Sequence, residues 1–557
     1  MRSIAILLGL CTAIPAFAQA PAHKPVEGTN GMVVCVSPPA ADVGLTILKQ
    51  GGNAVDAAVA VGFAQAVTWP EAGNIGGGGF MLIHPGAGKE PVVIDYRETA
   101  PAAATSDMFA KSIDFYSPKV AGVPGTVRGF ALAHRKFGKL PWKDAVMPAV
   151  RLAEEGFPIN DVLARGLNAI LADPKTKNPE FRRVYGKNSG SEKWAAGDRL
   201  VQPDLGKTLR AVAEVGPDSF YTGATADLIA KEMTANGGLI AKADLANYEA
   251  KLRTPTHGTY RGYDVYAPSP PSSGGIALVE MLNILENFDL KKNPRYSPET
   301  VHLLAEAMRR AYLDRARYLG DPDFVKIPDE LVTKEYAKKL AASIDPAHAA
   351  KSADLAPEIP IADGSNETTH YSIADKGGMA VSNTYTIESS YGCRVVAPGT
   401  GFILSNEMTD FNHRPGVTDR TGRIGTLPNQ VAPGKRMLSS QCPTILVKGG
   451  KPVLVTGSPG GRTIINTVLC IVVNAVDYGM DVQAAVDAPR MHHQWFPDRL
   501  AHEDLPEFAG LSKRLAAMGH AVLKQRQGDG HSIAIDPKTG TFTGAADARR
   551  DGKAAGY

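Results

Sequence analysis

The sequence predicts an α+β fold in which β-sheets are sandwiched between layers of helices. Segment 370–375 alternates in polarity, a Lys-Gly-Gly turn follows, and segment 379–387 is rich in β-branched and aromatic residues, which is typical of a β-hairpin. Segment 463–478 has the length and apolar character of a buried helix. Hairpins beside long apolar helices favour sheets that are covered by helices.

The other elements are predicted from the spacing of apolar residues and from the residues that begin or end helices. Asn53 is the predicted N-cap of an alanine-rich helix, and residues 126–320 are predicted to be mostly helical. Strands are predicted at 33–37, 81–83, 92–96, 444–447, 453–456, 521–523 and 532–535, and helices at 39–49, 54–67, 127–137, 143–155, 205–215, 225–236, 301–318, 463–478 and 508–518.

The composition is that of an ordinary globular protein, since the 557 residues are 44% hydrophobic and 21% charged. The formal net charge of +3 is nearly neutral for this length, so charge gives no reason to expect a nucleic-acid partner. The glycine-rich stretch 74–80 lacks the Gly-Lys-Ser/Thr ending of a phosphate-binding loop and leads into a predicted strand, which argues against nucleotide binding.

Residues 1–18 have the pattern of a secretory signal peptide. Arg2 supplies a positive charge, segment 4–14 is apolar but too short to span a bilayer, and residues 16–18 read Ala-Phe-Ala. An uncleaved membrane anchor is the alternative, but no charged stop-transfer segment follows and no other stretch offers a membrane span. We therefore expect export to the periplasm without attachment to a membrane.

Thr368 lies where the predicted hairpin begins, and a linker with three prolines leads up to it at 345–364. A threonine hydroxyl inside a chain is a weak nucleophile, but cleavage of the bond between Glu367 and Thr368 would give Thr368 its own α-amino group as a base. That amine has an ordinary pKa of about 7.7–8.0, so it can accept the hydroxyl proton near neutral pH. Taken alone, a Ser/Thr-rich loop that enters an exposed strand explains the stretch equally well.

Eight segments resemble, in order and spacing, the motifs of the gamma-glutamyltransferase (glutathione hydrolase) family. They read Ile-Asp-Tyr-Arg-Glu at 94–98, Val-Pro-Gly-Thr-Val at 123–127, Asn-Glu-Thr-Thr-His-Tyr-Ser at 366–372, Thr-Tyr-Thr at 384–386, Ser-Asn-Glu-Met-Thr-Asp-Phe at 405–411, Leu-Ser-Ser at 438–440, Thr-Gly-Ser-Pro-Gly-Gly at 456–461 and Ala-Pro-Arg-Met-His-His-Gln-Trp at 488–495. The likeness spans essentially the whole mature chain. It implies the αββα sandwich of N-terminal-nucleophile hydrolases, and self-cleavage into a large subunit (19–367) and a small catalytic subunit (368–557) that form one heterodimeric unit.

The same resemblance implies the residues that act on and hold the substrate. Thr368 is the nucleophile, and Thr386 both bonds its new amine and contacts the substrate. A guanidinium and hydroxyls suit the substrate's α-carboxylate, and carboxylates suit its α-ammonium. The residues so implied are Arg97, Ser439 and Ser440 for the α-carboxylate, and Glu388, Glu407 and Asp410 for the α-ammonium.

Gly460 and Gly461 lie between a predicted strand and a predicted helix, so their backbone N–H groups can approach a ligand at the positive end of that helix. By the resemblance they form the oxyanion hole, and Gly461 also contacts the substrate. A plain strand-to-helix turn is the alternative when these two residues are considered alone.

Two features depart from the family pattern. Many members carry asparagine at the position of Glu388, so this contact is expected to survive with altered charge. Segment 413–435 resembles the family's lid over the pocket in length, but it contains no Phe, Tyr or Trp. The sequence therefore gives no aromatic gate in the lid.

Neither the residues nor the resemblance calls for a metal ion or an organic cofactor. Adjacent histidines in a strand point to opposite faces, so His492 and His493 are predicted to be structural. The cysteines that remain after loss of the signal peptide lack zinc-site spacing; a disulfide in an exported protein is the alternative, but nothing indicates one, and buried free thiols are predicted. They are Cys35, Cys393, Cys442 and Cys470.

The expected activity is cleavage of the γ-glutamyl amide of glutathione and related compounds, with transfer of the γ-glutamyl group to water, amino acids or peptides. A cephalosporin (glutaryl) acylase of the same fold is one alternative, but Glu407 and Asp410 argue against a substrate without an ammonium group. An unprocessed periplasmic binding protein is another alternative, and a serine hydrolase based on Ser440 is a weaker one.

Overall fold

The computed structural model describes residues 24–356, 369–420, 424–504 and 506–557. The predicted signal peptide 1–18 and the predicted cleavage site at Glu367 and Thr368 lie outside the described residues.

Two seven-stranded sheets form the centre of the molecule, and their strands come from both sides of the predicted cleavage site. The strands are β1 (Val26–Gly28), β2 (Gly31–Cys35), β3 (Gly78–His84), β4 (Val92–Asp95), β5 (Phe157–Pro158), β6 (Arg199–Leu200), β7 (Lys251–Arg253), β8 (Thr256–Tyr260), β9 (Tyr263–Ala267), β10 (Thr369–Asp375), β11 (Ala380–Thr386), β12 (Thr444–Lys448), β13 (Lys451–Thr456), β14 (Met491–His492), β15 (Leu500–His502), β16 (Val522–Lys524), β17 (His531–Ile535), β18 (Phe542–Ala546) and β19 (Lys553–Gly556). The first sheet has the order β19-β2-β10-β11-β3-β4-β7, and the second has the order β1-β18-β17-β13-β12-β9-β8.

Helices cover the outer faces of both sheets. The helices are α1 (Pro38–Lys49), α2 (Ala54–Thr68), α3 (Thr126–Phe137), α4 (Trp142–Glu155), α5 (Asp161–Ala172), α6 (Pro179–Tyr185), α7 (Pro203–Glu214), α8 (Asp218–Tyr221), α9 (Ala224–Asn236), α10 (Lys242–Ala246), α11 (Gly274–Leu285), α12 (Pro298–Tyr318), α13 (Lys334–Ala342), α14 (Thr463–Val476), α15 (Val482–Asp487) and α16 (Leu511–Ala517). Helices α1 to α4 share an apolar core with the first sheet, and α11, α12 and α14 share one with the second sheet.

The alternation of side chains along the strands builds this layering. In β2, Met32 and Val34 belong to the core between the two sheets, whereas Val33 and Cys35 belong to the core under the helices. Strand β3 alternates in the same way. Because successive strand residues point to opposite faces, a strand buried on both sides is apolar throughout. The result is the predicted order of layers, helix, sheet, sheet and helix.

The hairpin β10–β11 confirms the main local prediction, and it occupies the middle of the first sheet. Strand β10 pairs with β11 on one side and with β2 on the other, and β11 pairs with β3. The register sets Thr369 opposite Tyr385. The start of β10 is therefore fixed by pairing with β11, the ladder with β2 begins two residues later at Tyr371, and Thr368 is the residue immediately before the strand.

Some elements were missed or misplaced by the sequence analysis. The region predicted to be mostly helical contains β7, β8 and β9, which are polar, partly exposed strands; β7 and β8 are edge strands, and β9 lies next to the edge. Helix α11 was not predicted, because it is buried on all sides and its apolar residues have no helical period. The helix predicted at 508–518 begins instead at Leu511, after Gly510 in the left-handed region (φ +71°).

Four cysteines, Cys35, Cys393, Cys442 and Cys470, are buried free thiols, which confirms that prediction for the described residues. Within the described ranges, no helix combines the length and the apolar character needed to cross a bilayer.

Replacement of Asn53 by alanine should lower the free energy of unfolding by about 1–2 kcal/mol, because Asn53 caps α2. Its side chain accepts hydrogen bonds from the backbone N–H groups of Val55 and Asp56, and the Asp56 carboxylate accepts one from the Asn53 N–H at 2.9 Å. The shift in thermal midpoint measures the effect. Asn236→Ala, at the exposed end of α9, is the control and should change stability by less than about 0.5 kcal/mol. Equal shifts for the two variants would contradict a capping role for Asn53.

Candidate active site

Arg97 follows β4 and holds a buried cluster of charges. Its Nη1 atom lies 2.6 Å from Oε2 of Glu407, and its Nη2 atom pairs with the carboxylate of Asp410. Its Nε atom donates to the backbone carbonyl of Met437 at 3.3 Å. Burial disfavours the charged guanidinium, but the neighbouring carboxylates outweigh this effect and raise the pKa of Arg97 above its usual range. The guanidinium is therefore charged and fixed in place.

Two further carboxyl groups, those of Glu98 and Glu388, lie close to that guanidinium in a low-dielectric environment. Burial raises the pKa of Glu98 to about 8, although Arg97 opposes the shift. Burial also raises the pKa values of Glu388 and Glu407 well above the usual range, again with Arg97 opposing. Both carboxyl oxygens of Glu98 and one of Glu388 have no hydrogen-bond partner within the described ranges. The Arg97 guanidinium alone does not balance this group of carboxyls. A ligand with a positive charge would add the missing cationic charge.

Two serines line the same cavity. The backbone of Ser439 is held at its N–H and its carbonyl, because the N–H donates to the carbonyl of Pro271 and the carbonyl accepts from the N–H and hydroxyl of Ser273. The hydroxyl of Ser440 accepts a hydrogen bond from Nη2 of Arg315 at 3.1 Å. Hydroxyls and a second guanidinium therefore line the cavity together with the carboxyl cluster.

The cavity gathers most of the predicted site residues. Those that line it are Arg97, Glu388, Asp410, Ser439, Ser440 and Gly461. Glu407 is connected to the cavity through its ion pair with Arg97, which lines it. Gly460 lines a neighbouring cavity together with Thr369, and Glu388 borders both. The residue after the predicted nucleophile thus lines a cavity that shares Glu388 with the charged cavity.

Thr386 ends β11, next to the start of β10. Its hydroxyl accepts a hydrogen bond from the N–H of Glu388 at 2.8 Å and is buried. Glu388 itself has a left-handed backbone (φ +73°), which is uncommon for a residue with a side chain. The Thr386 hydroxyl holds this turn and thereby directs the chain of Glu388 toward the cavity.

Gly460 and Gly461 form the turn before α14, with φ values of +124° and +56°. A Cβ atom on Gly460 would lie 2.4 Å from the hydroxyl oxygen of Thr463, so only glycine fits there. Among the described residues, the N–H groups of these two glycines have no hydrogen-bond acceptor. Free backbone N–H groups at the start of a helix suit a developing negative charge.

The structure also places residues at the cavity that the sequence analysis missed. Arg315 from α12 and Arg462 beside Gly461 line it, and Phe115 and His413 form part of its wall with ring centroids 6.0 Å apart. Arg462 could have been found from its position next to the glycine motif. Phe115 comes from a segment far from 413–435, so the cavity has an aromatic wall although the lid segment lacks one.

Two groups of side chains within the described ranges have the spacing to hold a metal ion. One contains Glu388, Glu407 and Asp410, where Arg97 already provides a cation. The other contains His302, Glu306 and His520, and both oxygens of this glutamate pair with arginines of α12.

The two adjacent histidines belong to neither group. His492 bonds Asn466 and Gln494, and His493 bonds Asp498. The premise that both histidines lie in a strand and point to opposite faces is wrong, because only His492 lies in a strand and both side chains are buried. Their contacts are nevertheless structural.

The chain resembles proteins of one family over nearly its whole length. Residues 40–557 match the family model described as Gamma-glutamyltranspeptidase. A protein of Escherichia coli (strain K12) named glutathione hydrolase proenzyme is 48% identical over 578 aligned positions, which cover 99% of this chain and 98% of the relative.

Solved structures agree with this match. The crystal structure of cephalosporin acylase from Bacillus halodurans superposes with a TM-score of 0.85 at 28% identity and covers 98% of this chain and 99% of its own. That of Helicobacter pylori gamma-glutamyltranspeptidase has a TM-score of 0.55 at 43% identity and covers 56% of this chain and 91% of its own. The predictions of family, αββα fold and enzyme class are confirmed, and the chain belongs to the gamma-glutamyltranspeptidase family.

Proposed function

We propose that this protein cleaves γ-glutamyl amides such as glutathione through Thr368 and passes the γ-glutamyl group to water, amino acids or peptides. The observation that carries the proposal is the charged cavity, whose lining combines carboxyl groups with serines and guanidinium groups. An α-amino acid head group has the complementary charges, and a γ-glutamyl group would extend from it toward the start of β10.

The proposed reaction has two steps. The Thr368 hydroxyl attacks the γ-carbonyl carbon while its α-amine takes the hydroxyl proton, and the resulting oxyanion accepts hydrogen bonds from the N–H groups of Gly460 and Gly461. The C–N bond then breaks, the leaving amine takes the proton, and a γ-glutamyl ester of Thr368 remains. Water or an acceptor amine attacks this ester and restores the hydroxyl.

We propose that the active form arises by cleavage between Glu367 and Thr368, which gives subunits 19–367 and 368–557. The sheet pairing supports a stable heterodimer after the cut, because β10 and β11 lie between β2 and β3, and β12 pairs with β9. Separation of the subunits would break both sheets. Removal of residues 1–18 on export to the periplasm belongs to the same proposal.

A glutaryl acylase is the second candidate, because the chain superposes on a cephalosporin acylase over almost its full length. A glutaryl group carries the carboxylate but lacks the ammonium. It would leave the buried carboxyl cluster without a second cation beside Arg97, which is costly. A comparison of γ-glutamyl and glutaryl anilides as donors decides between the two, and preference for the glutaryl anilide would overturn the proposal.

The variant Thr368→Ala should remain a single chain, because it lacks the hydroxyl that attacks the preceding carbonyl. Intact mass measured after expression reports cleavage directly. Ser365→Ala, which removes a hydroxyl from the same stretch, should still be cut at the same bond. Cleavage of the Thr368→Ala protein between residues 367 and 368 would show that this hydroxyl does not drive maturation, and an uncut wild type would favour the binding-protein alternative.

The variant Asp410→Asn should lower kcat/KM for a γ-glutamyl anilide by about 30-fold or more, because a buried charge pair with the substrate ammonium is lost. The glutaryl anilide lacks the ammonium and should lose much less. The ratio of the two kcat/KM values is the measurement, since general damage to the site lowers both. An unchanged ratio would mean that Asp410 does not contact the ammonium.

The preference for γ-glutamyl over glutaryl anilide should rise between about pH 6.5 and 8.5. The raised pKa of Glu98, about 8, and the raised values of Glu388 and Glu407 keep part of the cluster protonated at neutral pH in the free enzyme. The substrate ammonium favours the ionised forms, so its binding releases protons and strengthens as pH rises. Because both donors depend on the Thr368 amine, its titration cancels in the ratio of the two kcat/KM values. A ratio that does not change with pH would contradict the coupling between ammonium binding and ionisation of the carboxyl groups.

A further inference from the structure

His370 lies on the face of β10 that is turned toward the second sheet. Along the same strand, Tyr371 and Ile373 belong to the core under the helices, whereas Ala374 belongs to the core between the sheets. The His370 side chain is fully buried and has a hydrogen-bond partner at each ring nitrogen. A buried imidazole so close to the predicted nucleophile can act either as a base or as a group that holds the site in shape.

The hydrogen bonds determine where this imidazole carries its proton. The Ser372 hydroxyl donates to the backbone carbonyl of His531 at 2.8 Å, so it accepts from Nε2–H of His370, which lies 3.1 Å away. Burial lowers the pKa of His370 well below its usual range, and His531 adds to this effect, so the ring is neutral. The other nitrogen, Nδ1, therefore accepts the hydroxyl proton of Thr384 at 2.8 Å. Because both nitrogens are in use, His370 is unsuited to take a proton during the reaction.

The ring of His370 packs directly on Gly457, the first glycine of segment 456–461. A Cβ atom on Gly457 would lie 2.2 Å from Cε1 and 2.4 Å from Nδ1 of His370. The backbone of Gly457 is not in the left-handed region, so it is the imidazole that excludes a side chain at this position. His370 thus fills the space between β10 of the first sheet and the loop after β13 of the second sheet.

The loop from Gly457 to the glycine pair, Gly460 and Gly461, is short and tied down. The hydroxyl of Ser458 donates to the carbonyl of the next residue at 2.7 Å and accepts from the N–H of Asp529 at 3.0 Å. Interiors packed in this way transmit a displacement rather than absorb it. A shift of Gly457 would therefore move the backbone N–H groups of the glycine pair relative to the start of β10.

We propose that His370 is a positioning residue for the reaction, whose imidazole sets the separation between the start of β10 and the glycine pair and does not act as a base. This inference rests on the proposed γ-glutamyl transfer. His370 is not among the described residues that line the charged cavity, so donor binding should not depend on it. Since a misplacement of about 1 Å can cost about 100-fold in rate, loss of the imidazole should lower kcat and leave KM nearly unchanged.

An exchange of size between the two residues tests the contact. His370→Ala empties the space and Gly457→Ala crowds it, so each should lower kcat for a γ-glutamyl anilide by about 10-fold or more, with KM changed by less than about threefold. In the double variant the new methyl group occupies the space that the ring has left, and kcat should exceed that of either single variant. His370→Gln keeps neutral donor and acceptor atoms, so it should lose much less activity than His370→Ala and retain the wild-type pH profile of kcat/KM.

Ile445→Ala is the matched control, because Ile445 of β12 is buried in the same core between the sheets. It should lower the thermal midpoint without lowering kcat. Thermal midpoints and the two subunits on a denaturing gel show whether each variant has folded and matured. If Gly457→Ala alone does not mature, maturation of the double variant is the measure of rescue.

An unchanged kcat in His370→Ala, or an equal loss of kcat in Ile445→Ala, would overturn the positioning role. A double variant that is no better than the single variants would overturn the contact with Gly457. Loss of the wild-type pH profile in His370→Gln would identify a base and would also refute the proposal. A wild type that releases no aniline from the γ-glutamyl anilide would instead refute the proposed function itself.

Discussion

The pairing of β10 with strands on both of its sides is the constraint on which the rest of the site depends. Strand β10 lies between β2 and β11; Thr369 pairs with Tyr385 of β11, and the ladder with β2 begins at Tyr371. Thr386 ends β11, Glu388 lies in the loop after it, and the loop after β13 carries the glycine pair. The start of β10 therefore lies in a rigid frame, which would suit the proposed catalysis by preorganised groups.

The second organising feature is the collection of buried charges around one cavity. Buried carboxyl groups with the Arg97 guanidinium, and serines with the Arg315 guanidinium, line or border the same space. Burial makes unbalanced charge costly. Under the proposed function, a zwitterionic head group would offer a partner to each kind of charge, which would couple affinity to the presence of both charges in the ligand.

Local signals in the sequence predicted the elements that carry their own pattern. The β10–β11 hairpin was predicted from its alternating polar and apolar residues and its glycine turn. The N-cap at Asn53 was predicted from its position directly before an alanine-rich helix. Helix α11 is apolar on every side and has no period to read, so it was missed. Site residues that lie inside recognisable motifs were predicted together. Arg315 and Phe115 lie outside those motifs and were not predicted, because only tertiary folding brings them to the cavity.

The edge of the first sheet has a consequence for the order of synthesis. Strand β2, near the beginning of the chain, pairs with β10 and also with β19, and the backbone of Tyr557 bonds Thr29, Asn30 and Gly31. Until residues 553–557 have been made, β2 has no partner on its outer side. The sheet can therefore be completed only after residues 553–557 have been synthesised, and until then the outer edge of β2 presents unpaired backbone N–H and C=O groups.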